Sequence, residues 1–248
     1  MRPTIVVWFS CGAASAVAAK KTIEKYGHTH QIRVVNNPVM EEDSDNRRFL
    51  ADVEKWLNLK IEIARNKTYP AASAVEVWQK RQYMSGVSGA PCTVELKKKA
   101  RQQWEAQNKT DFIVLGFTFD EAKRHERFVS SERANVLPVL IDAKITKKDC
   151  FDILKQAGIQ LPHIYSLGYP NANCIGCVKA TSPTYWNLVR KKHPDIFKQR
   201  ADQSRKLGVK LVRYRGERIF LDELPANAKG AKLKSMHIEC GIFCEEKT

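Results

Sequence analysis

The cysteine residues of the chain include two tight pairs that could bind a metal. There are seven cysteines, and the pairs are Cys174-x2-Cys177 and Cys240-x3-Cys244. Thiolates at such short spacing can share one zinc ion or one iron–sulfur cluster, and Cys92 supplies a further thiol. The pattern predicts a thiolate-ligated centre. Iron–sulfur, zinc and purely structural cysteines are the alternatives that it leaves open.

A second candidate site is the loop of small residues that follows the apolar segment 4–9. A loop that leads from a buried strand into a helix presents backbone N–H groups at the positive end of the helix, where phosphate or sulfate binds well. Serine hydroxyls add donors, and Gly12 allows close approach to the backbone. The loop is not a Walker motif because no Gly-Lys-Ser/Thr follows it, and a loop that binds nothing is the alternative. The candidate anion-binding residues are Ser10, Cys11, Gly12, Ala13 and Ser15.

Alternating strand and helix patterns supply the scaffold for these residues. Apolar, β-rich runs predict strands at 4–9, 31–35, 60–64, 112–116 and 136–141. Helical periodicity and end signals predict a helix that follows the loop 10–15 and ends near 26, and further helices at 45–57, 71–83, 95–107 and 147–158. The alternation predicts an α/β fold with a doubly wound, mainly parallel sheet. Ligands bind such sheets beyond the carboxyl ends of the strands, where the candidate loop lies.

The composition of the chain changes near residue 160. We expect a nucleotide-binding α/β domain over 1–160 and a basic, Cys-rich C-terminal region over 161–248 that covers the active site. From Cys174 to Thr248 there are ten Lys and six Arg against eight acidic residues. Such a basic region attracts nucleic acid or a phosphate or sulfate ligand. A well-solvated surface is the alternative explanation of the charge.

The overall composition excludes several classes of protein. With 248 residues, 43% hydrophobic and 28% charged, the chain is neither disordered nor collagenous, and its formal net charge is +15. The sequence contains no apolar run near the roughly 20 residues that a membrane-spanning helix needs, nor a signal-peptide core. Cysteines without an export signal argue against a disulfide framework. We therefore expect a cytoplasmic protein, with a homo-oligomer as the expected assembly.

Four segments carry a resemblance to a known family. The segment 9–17 resembles the modified phosphate-binding loop of the adenine nucleotide α-hydrolase (PP-loop) superfamily, with Cys11 and Ala14 where a Gly and an Asp are usual. Three further segments of the chain resemble one branch of this superfamily, the phosphoadenylyl-sulfate (PAPS) reductases. These are Asn36-Asn37-Pro38 with the helix after it, Gly116 to Glu121 followed by Arg124 and Arg127, and Cys92-x4-Lys97.

The resemblance implies a Rossmann-like fold and roles for particular residues. Asn36, Asn37, Gly116 and Glu121 would bind the nucleotide with the loop, and Lys97, Arg124 and Arg127 would face its phosphosulfate. A [4Fe–4S] cluster would be held by Cys92, Cys174 and Cys177, with Cys244 as the fourth ligand. The tail 237–242 resembles the segment that carries the catalytic cysteine of PAPS reductases, so Cys240 is the candidate nucleophile, although the reverse assignment of Cys240 and Cys244 stays open. A thioredoxin-like reductant would release sulfite.

Other functions compete with sulfonucleotide reduction. One is an ATP-dependent iron–sulfur sulfurtransferase that thiolates tRNA or DNA, which explains the charge better and uses Tyr185, Trp186 and Tyr214 to stack on a strand. The missing Asp at Ala14 counts against ATP chemistry. Another is a non-catalytic, zinc-bound nucleic-acid-binding protein. Magnesium could be held by the acidic segment 41–43, for which the start of a helix is the alternative explanation.

Overall fold

The apolar run 4–9 forms strand β1 (Thr4–Phe9), which is buried along its whole length in the computed structural model of the chain. It pairs in parallel with β2 (Gln31–Asn36) on one side and with β4 (Phe112–Val114) on the other. On the far side of β2 lies β3 (Ile61–Ile63), also parallel. The strand order β3-β2-β1-β4 confirms the predicted doubly wound α/β sheet. Its topological switch point lies between β1 and β4, and the carboxyl ends of these two strands meet there.

The structure describes residues 2–86 and 89–233, which divide into two units. Unit 1 contains the parallel sheet, and unit 2 contains Cys92 together with Cys174 and Cys177. Unit 1 comprises the segments 2–38, 44–64 and 101–166, and unit 2 comprises 39–43, 65–100 and the described residues from 167 onward.

Helices follow the strands in the predicted alternation. They are α1 (Ala13–Tyr26), α2 (Asn46–Leu57), α3 (Ala74–Arg81), α4 (Ala100–Glu105), α5 (Ala122–Ser131), α6 (Val139–Asp142), α7 (Lys147–Gln156), α8 (His163–Ser166), α9 (Pro183–Lys192) and α10 (Pro194–Lys206). A π-helix, Thr93–Lys99, leads directly into α4. Among the described helices, none is both long and apolar enough to span a membrane.

The core of unit 1 lies between β1 and the helices that cover the sheet. Small residues of α1 are fully buried, so this helix packs closely on the strands and on α7. In α2 the buried residues Phe49, Val53 and Leu57 recur at helical spacing, which is the pattern that predicted this helix. The helix ends at Asn58, whose left-handed φ of 49° stops it.

Unit 2 also contains a short antiparallel hairpin. Its strands are β5 (Val212–Tyr214) and β6 (Glu217–Ile219), joined by a two-residue turn at Arg215 and Gly216. Both turn residues have positive φ, 50° and 87°, as a turn between twisted antiparallel strands requires.

One predicted strand is wrong. The segment 136–141 contributes only Val136, which forms a parallel bridge to Ile113, and its remainder begins α6 at Val139. The pairing stops because Pro138 has no backbone N–H to donate to a neighbouring strand. Apolar residues in a short run cannot by themselves distinguish a buried strand from a buried helix.

Candidate functional site

The loop after β1 has the backbone arrangement of an anion site. Gly12 is the N-terminal cap of α1 and provides no side-chain cap, and the first helical turn contains no acidic residue. The positive end of the helix is therefore not neutralised by its own side chains. Ser15 Oγ shapes the loop, because it accepts a hydrogen bond from Ser10 N at 3.2 Å and donates one to Gly12 O at 2.9 Å. The predicted residues of this loop are thus brought together by the structure.

Cys11 takes a backbone conformation that usually requires glycine. Its φ is 55° and it is buried, at the position where the resembling family has Gly. Asn36 supports this conformation, since its side-chain amide lies 2.7 Å from Phe9 O and 3.5 Å from Cys11 Sγ. Asn37 similarly donates to Ala64 O at 3.0 Å. Both predicted nucleotide-side asparagines hold together the carboxyl ends of the strands.

Gly116 lies directly against the start of α1. A Cβ atom at this position would lie 2.8 Å from Ser15 N and 3.1 Å from the carbonyl carbon of Ala14. Contacts this short with backbone atoms exclude any side chain. Gly116 therefore allows the loop after β4 to close on the anion-binding loop at the switch point of the sheet.

Tyr165, which the sequence analysis missed, covers the same loop. Its hydroxyl accepts a hydrogen bond from Ala13 N at 3.4 Å, and burial raises the pKa of Tyr165 to about 12. The short helix α8 that carries Tyr165 is fixed by Asp45, which accepts a hydrogen bond from His163 N at 2.8 Å. Ala13 and Tyr165 are 152 residues apart in sequence, so no local spacing could have predicted the contact.

The predicted Glu121 and Arg124 form a pair near the end of β4. Arg124 Nη1 donates to Glu121 Oε1 at 2.6 Å, and its guanidinium lies 5.2 Å from the centre of the Phe117 ring. Arg127 is exposed on the same helix. The sequence analysis also missed Lys147. Burial lowers the pKa of Lys147, whereas the negative charge of nearby Glu121 raises it. Unit 1 therefore presents several cations within the segments that follow β4.

In unit 2, a buried hydroxyl joins the two ends of the predicted knuckle from Cys174 to Cys177. Tyr185 Oη accepts a hydrogen bond from Cys177 N at 2.8 Å and donates one to Cys174 O at 3.3 Å. Between the cysteines, Gly176 has a φ of 68°, which lets the backbone turn tightly. The knuckle is consequently shaped by the protein itself.

Arg200 places a buried positive charge beside the knuckle. It is only 3% exposed, its Nε lies 3.3 Å from Gly176 O, and its guanidinium lies 4.8 Å from the centre of the Trp78 ring. Burial lowers the pKa of Arg200, whereas Glu41, Cys174 and Cys177 raise it through their negative charge. Two sulfur ligands next to a fixed cation fit a thiolate-bound metal or cluster.

Of the other predicted ligands, Cys92 alone falls within the described residues. No group of three or more His, Cys, Asp or Glu side chains is gathered there for metal binding. Cys92 precedes the π-helix, and Cys240 and Cys244 lie outside the described residues. The described knuckle alone therefore supplies two of the four expected ligands.

The predicted catalytic Lys97 lies in a buried ion pair. Its Nζ is 2.9 Å from Glu42 Oε1, and the two side chains are 9% and 10% exposed. Glu41 caps α3, because its carboxylate accepts hydrogen bonds from Ala74 N and Val75 N. The acidic segment suggested for magnesium thus has structural partners for two of its carboxylates.

One prediction about aromatic residues is wrong. Tyr185 and Trp186 are 2% and 0% exposed, and Trp186 Nε1 donates to Ala180 O, so neither ring is available to stack on a nucleic-acid strand. They face the core because α9 packs that side on α10, with Trp186 against Phe197. Tyr214, on the hairpin, is only half-buried.

Comparison with known proteins leaves the family of this chain undetermined. No protein-family model matches the sequence, and no curated protein matches it significantly. Among solved structures, the chain is similar to the U34-tRNA thiolase NcsA from Methanococcus maripaludis with its [4Fe–4S] cluster. The identity is 12%, the match covers 83% of this chain and 72% of that chain, and the TM-score is 0.47. The function of this chain must therefore be argued from its own residues.

Proposed function

We propose that this protein is an adenine-nucleotide-dependent enzyme of sulfur transfer whose acceptor is a nucleic acid. The observation that carries the proposal is the loop between β1 and α1, which lacks a side-chain cap and an acidic first turn at the switch point of a parallel sheet. Such a helix N-terminus binds the phosphates of a nucleotide, and the strand ends beside it are the usual place for the rest of the ligand.

Sulfur chemistry is supported by the knuckle of unit 2. Tyr185 shapes it, and Arg200 places positive charge beside it, which favours thiolates over thiols at Cys174 and Cys177. When bound, an iron–sulfur cluster would supply a site that holds and delivers sulfide, whereas zinc would only cross-link the segment. The remaining ligands would be Cys92 and Cys244.

In such a reaction, the acceptor exchanges an oxygen for a sulfur that hydrosulfide supplies, and the nucleotide carries the oxygen away. The acceptor oxygen would attack the α-phosphorus of ATP and release pyrophosphate. Sulfur at the oxidation level of hydrosulfide would then displace AMP, which carries the oxygen away. The loop after β1 would hold the phosphates, and Arg124 and Lys147 supply positive charge in the same unit for the developing negative charge.

The nucleic-acid acceptor is supported by charge. The net charge of +15 exceeds what a mononucleotide site alone would need, and exposed arginines are concentrated on the hairpin of unit 2. The second candidate, sulfonucleotide reduction, is favoured by Ala14, because the first turn of α1 then lacks the carboxylate that would bind magnesium with ATP. In that reaction the Cys240 thiolate would attack the sulfur of the sulfonucleotide and break its bond to the phosphate oxygen, which leaves with the nucleotide. A thioredoxin-like dithiol would then reduce the S-sulfocysteine, release sulfite and become a disulfide.

Nucleotide binding tests the common part of both candidates. Calorimetric titrations with ATP, adenylyl sulfate and PAPS should show binding to the wild-type protein. Ser15→Ala should weaken it about tenfold or more, since it removes both a donor and the hydrogen bonds that shape the loop. The control is Ser130→Ala, which removes a hydroxyl bonded to Arg127 O on exposed α5 and should leave the affinity unchanged. Equal affinities in the three proteins would contradict the proposal.

Product analysis separates the two candidates. Anaerobically purified protein is incubated with ATP, magnesium, sulfide and either RNA or DNA, and the digested nucleosides are examined for replacement of oxygen by sulfur. A parallel reaction contains PAPS and thioredoxin and is assayed for sulfite. Formation of thionucleosides supports the proposed function. If the wild type instead forms sulfite and the Cys240→Ser variant does not, the function is sulfonucleotide reduction.

A further inference from the structure

The outward face of the β5–β6 hairpin carries two arginines directly opposite each other. Arg213 and Arg218 are register partners in this antiparallel pair, and such partners project from the same face. Val212, one residue earlier, is fully buried and projects from the opposite face. Arg213 and Arg218 therefore lie on the solvent side, and both are exposed.

This pairing of like charges is unfavourable in the protein by itself. Like charges directly opposite on neighbouring strands destabilise a sheet. In the described part of the chain, no carboxylate forms an ion pair with Arg213, Arg215 or Arg218. Arg205 shows the contrast, because it is bound to both Asp222 and Glu223. Arg218 also donates a hydrogen bond to Leu211 O at 3.2 Å, which carries no full negative charge. The hairpin thus presents three exposed cations that an anionic partner can neutralise.

The turn of the hairpin adds a further cation and an aromatic ring. Arg215 has its guanidinium 5.2 Å from the centre of the Tyr214 ring and is exposed at the tip. Lys210 is exposed just before β5. A guanidinium fork binds phosphate oxygens in pairs, so each exposed arginine of the hairpin can bind a phosphodiester.

We propose that the outward face of the β5–β6 hairpin binds the phosphodiester backbone of a nucleic-acid strand. The proposal rests on the proposed function, because it identifies the surface that holds the nucleic-acid acceptor. Charge complementarity selects this occupant, since a row of phosphates supplies negative charge along the ribbon, whereas a single small anion would neutralise only one pair. Arg213 and Arg218 would bind one phosphate between them, and Arg215 the next.

Fluorescence anisotropy with labelled single strands of RNA and of DNA tests the surface at several KCl concentrations. The variant R213Q/R215Q/R218Q should bind the preferred strand about tenfold or more weakly at low salt. Its slope of log K against log [KCl] should be smaller by about 1.4, because two phosphates lose their contacts and each contributes about 0.7 for a single strand. The lysine variant R213K/R215K/R218K keeps the charges and should keep the slope. It also shows that the hairpin tolerates substitution, as does an unchanged circular dichroism spectrum.

The matched control removes three cations elsewhere. Lys21, Lys60 and Lys148 are each paired with a carboxylate, and K21Q/K60Q/K148Q lowers the net charge by the same amount. This control should bind almost as tightly as the wild type. An equal loss in both triple variants, or an unchanged slope in the hairpin variant, would overturn the proposal, as would wild-type protein that binds neither strand.

Two further measurements distinguish this proposal from the proposed function. The hairpin variant should keep its affinity for the nucleotide, and Ser15→Ala should keep its affinity for the strand. If neither the wild type nor any variant binds nucleotide, but strand binding still depends on the hairpin, only the proposed function is refuted. If the hairpin variant binds nucleotide and forms thionucleosides as well as the wild type does, only the proposal about the hairpin surface is refuted.

Discussion

Substitution of Tyr185 by Phe should destabilise the protein and weaken metal binding, because one hydroxyl holds both ends of the cysteine knuckle. The change deletes the acceptor of Cys177 N and the donor to Cys174 O. It leaves the ring contacts of Tyr185 with Trp186 and Tyr169 in place, at centroid distances of 5.4 and 5.9 Å. The effect therefore reports the two hydrogen bonds and not the packing.

The size of the effect follows from the two bond lengths. The 2.8 Å bond leaves a buried N–H group of Cys177 without an acceptor, and a buried donor in that state costs about 1–3 kcal/mol. The bond to Cys174 O is longer, at 3.3 Å, and adds less. A total of about 2 kcal/mol in the free energy of unfolding corresponds to a fall in Tm of about 4–8 °C for a protein of this size. Burial raises the pKa of Tyr185 well above its usual range, so the hydroxyl remains a donor throughout the neutral pH range.

The assay is thermal and urea unfolding of metal-free protein, followed by zinc titration with a competing chromophoric chelator. In the wild type, the hydroxyl orders the knuckle before zinc binds. In the Tyr185→Phe variant the knuckle must become ordered during binding, so part of the binding free energy is lost. The zinc Kd should therefore rise by up to about 30-fold, which corresponds to about 2 kcal/mol. Tyr214→Phe is the matched control, because this half-buried hydroxyl makes no hydrogen bond within the described residues. A Tm for Tyr185→Phe that equals that of the control would refute the role of the hydroxyl.

Two further predictions concern unit 1. Gly116→Ala should weaken nucleotide binding about tenfold and destabilise the protein by about 1–3 kcal/mol, because its Cβ would lie 2.8 Å from Ser15 N and displace the start of α1; unchanged binding in a titration would contradict this. Asp45 should stabilise the protein above the pKa of an ordinary Asp, near 3.8, because hydrogen bonds from Arg48 and then from His163 N lower its folded pKa. That contribution is lost as the pH falls through the lowered value. In urea unfolding from pH 6 to pH 3, the difference in stability between wild type and Asp45→Asn should shrink toward acid pH, and a constant difference would argue against the assignment.

The parallel sheet could be predicted because its signal is local. A fully buried strand reads as a continuous apolar run, and 4–9 is such a run. The strand predicted beyond β4 is wrong, because the same local signal fails there. The segment 136–141 has the same apolar character, but Pro138 interrupts the hydrogen bonding that would extend it. Composition identifies burial, whereas the choice between strand and helix depends on which backbone groups find partners.

The candidate site was predictable only where its residues are neighbours in sequence. The spacing of Ser10, Gly12 and Ser15 already indicates a turn before a helix. The contacts of Tyr165 with Ala13 and of Arg200 with Gly176 join residues from distant segments, and neither has a motif of its own. These side chains could be found only from coordinates.

The burial of Arg200 bears on the charge of the centre that we propose for the knuckle. An arginine that is 3% exposed requires negative charge nearby, because a buried ion without compensation is strongly destabilising. Glu41 supplies part of it, but its carboxylate also caps α3. Neutral thiols at Cys174 and Cys177 would add nothing, whereas thiolates around a metal would leave a net negative centre beside the guanidinium. In the proposed centre, zinc with four thiolates and a [4Fe–4S] cluster with four thiolates would both meet this condition. Arg200→Met should accordingly lower metal retention more than it lowers the stability of the metal-free protein, a difference that chelator titration and unfolding can measure on the same samples.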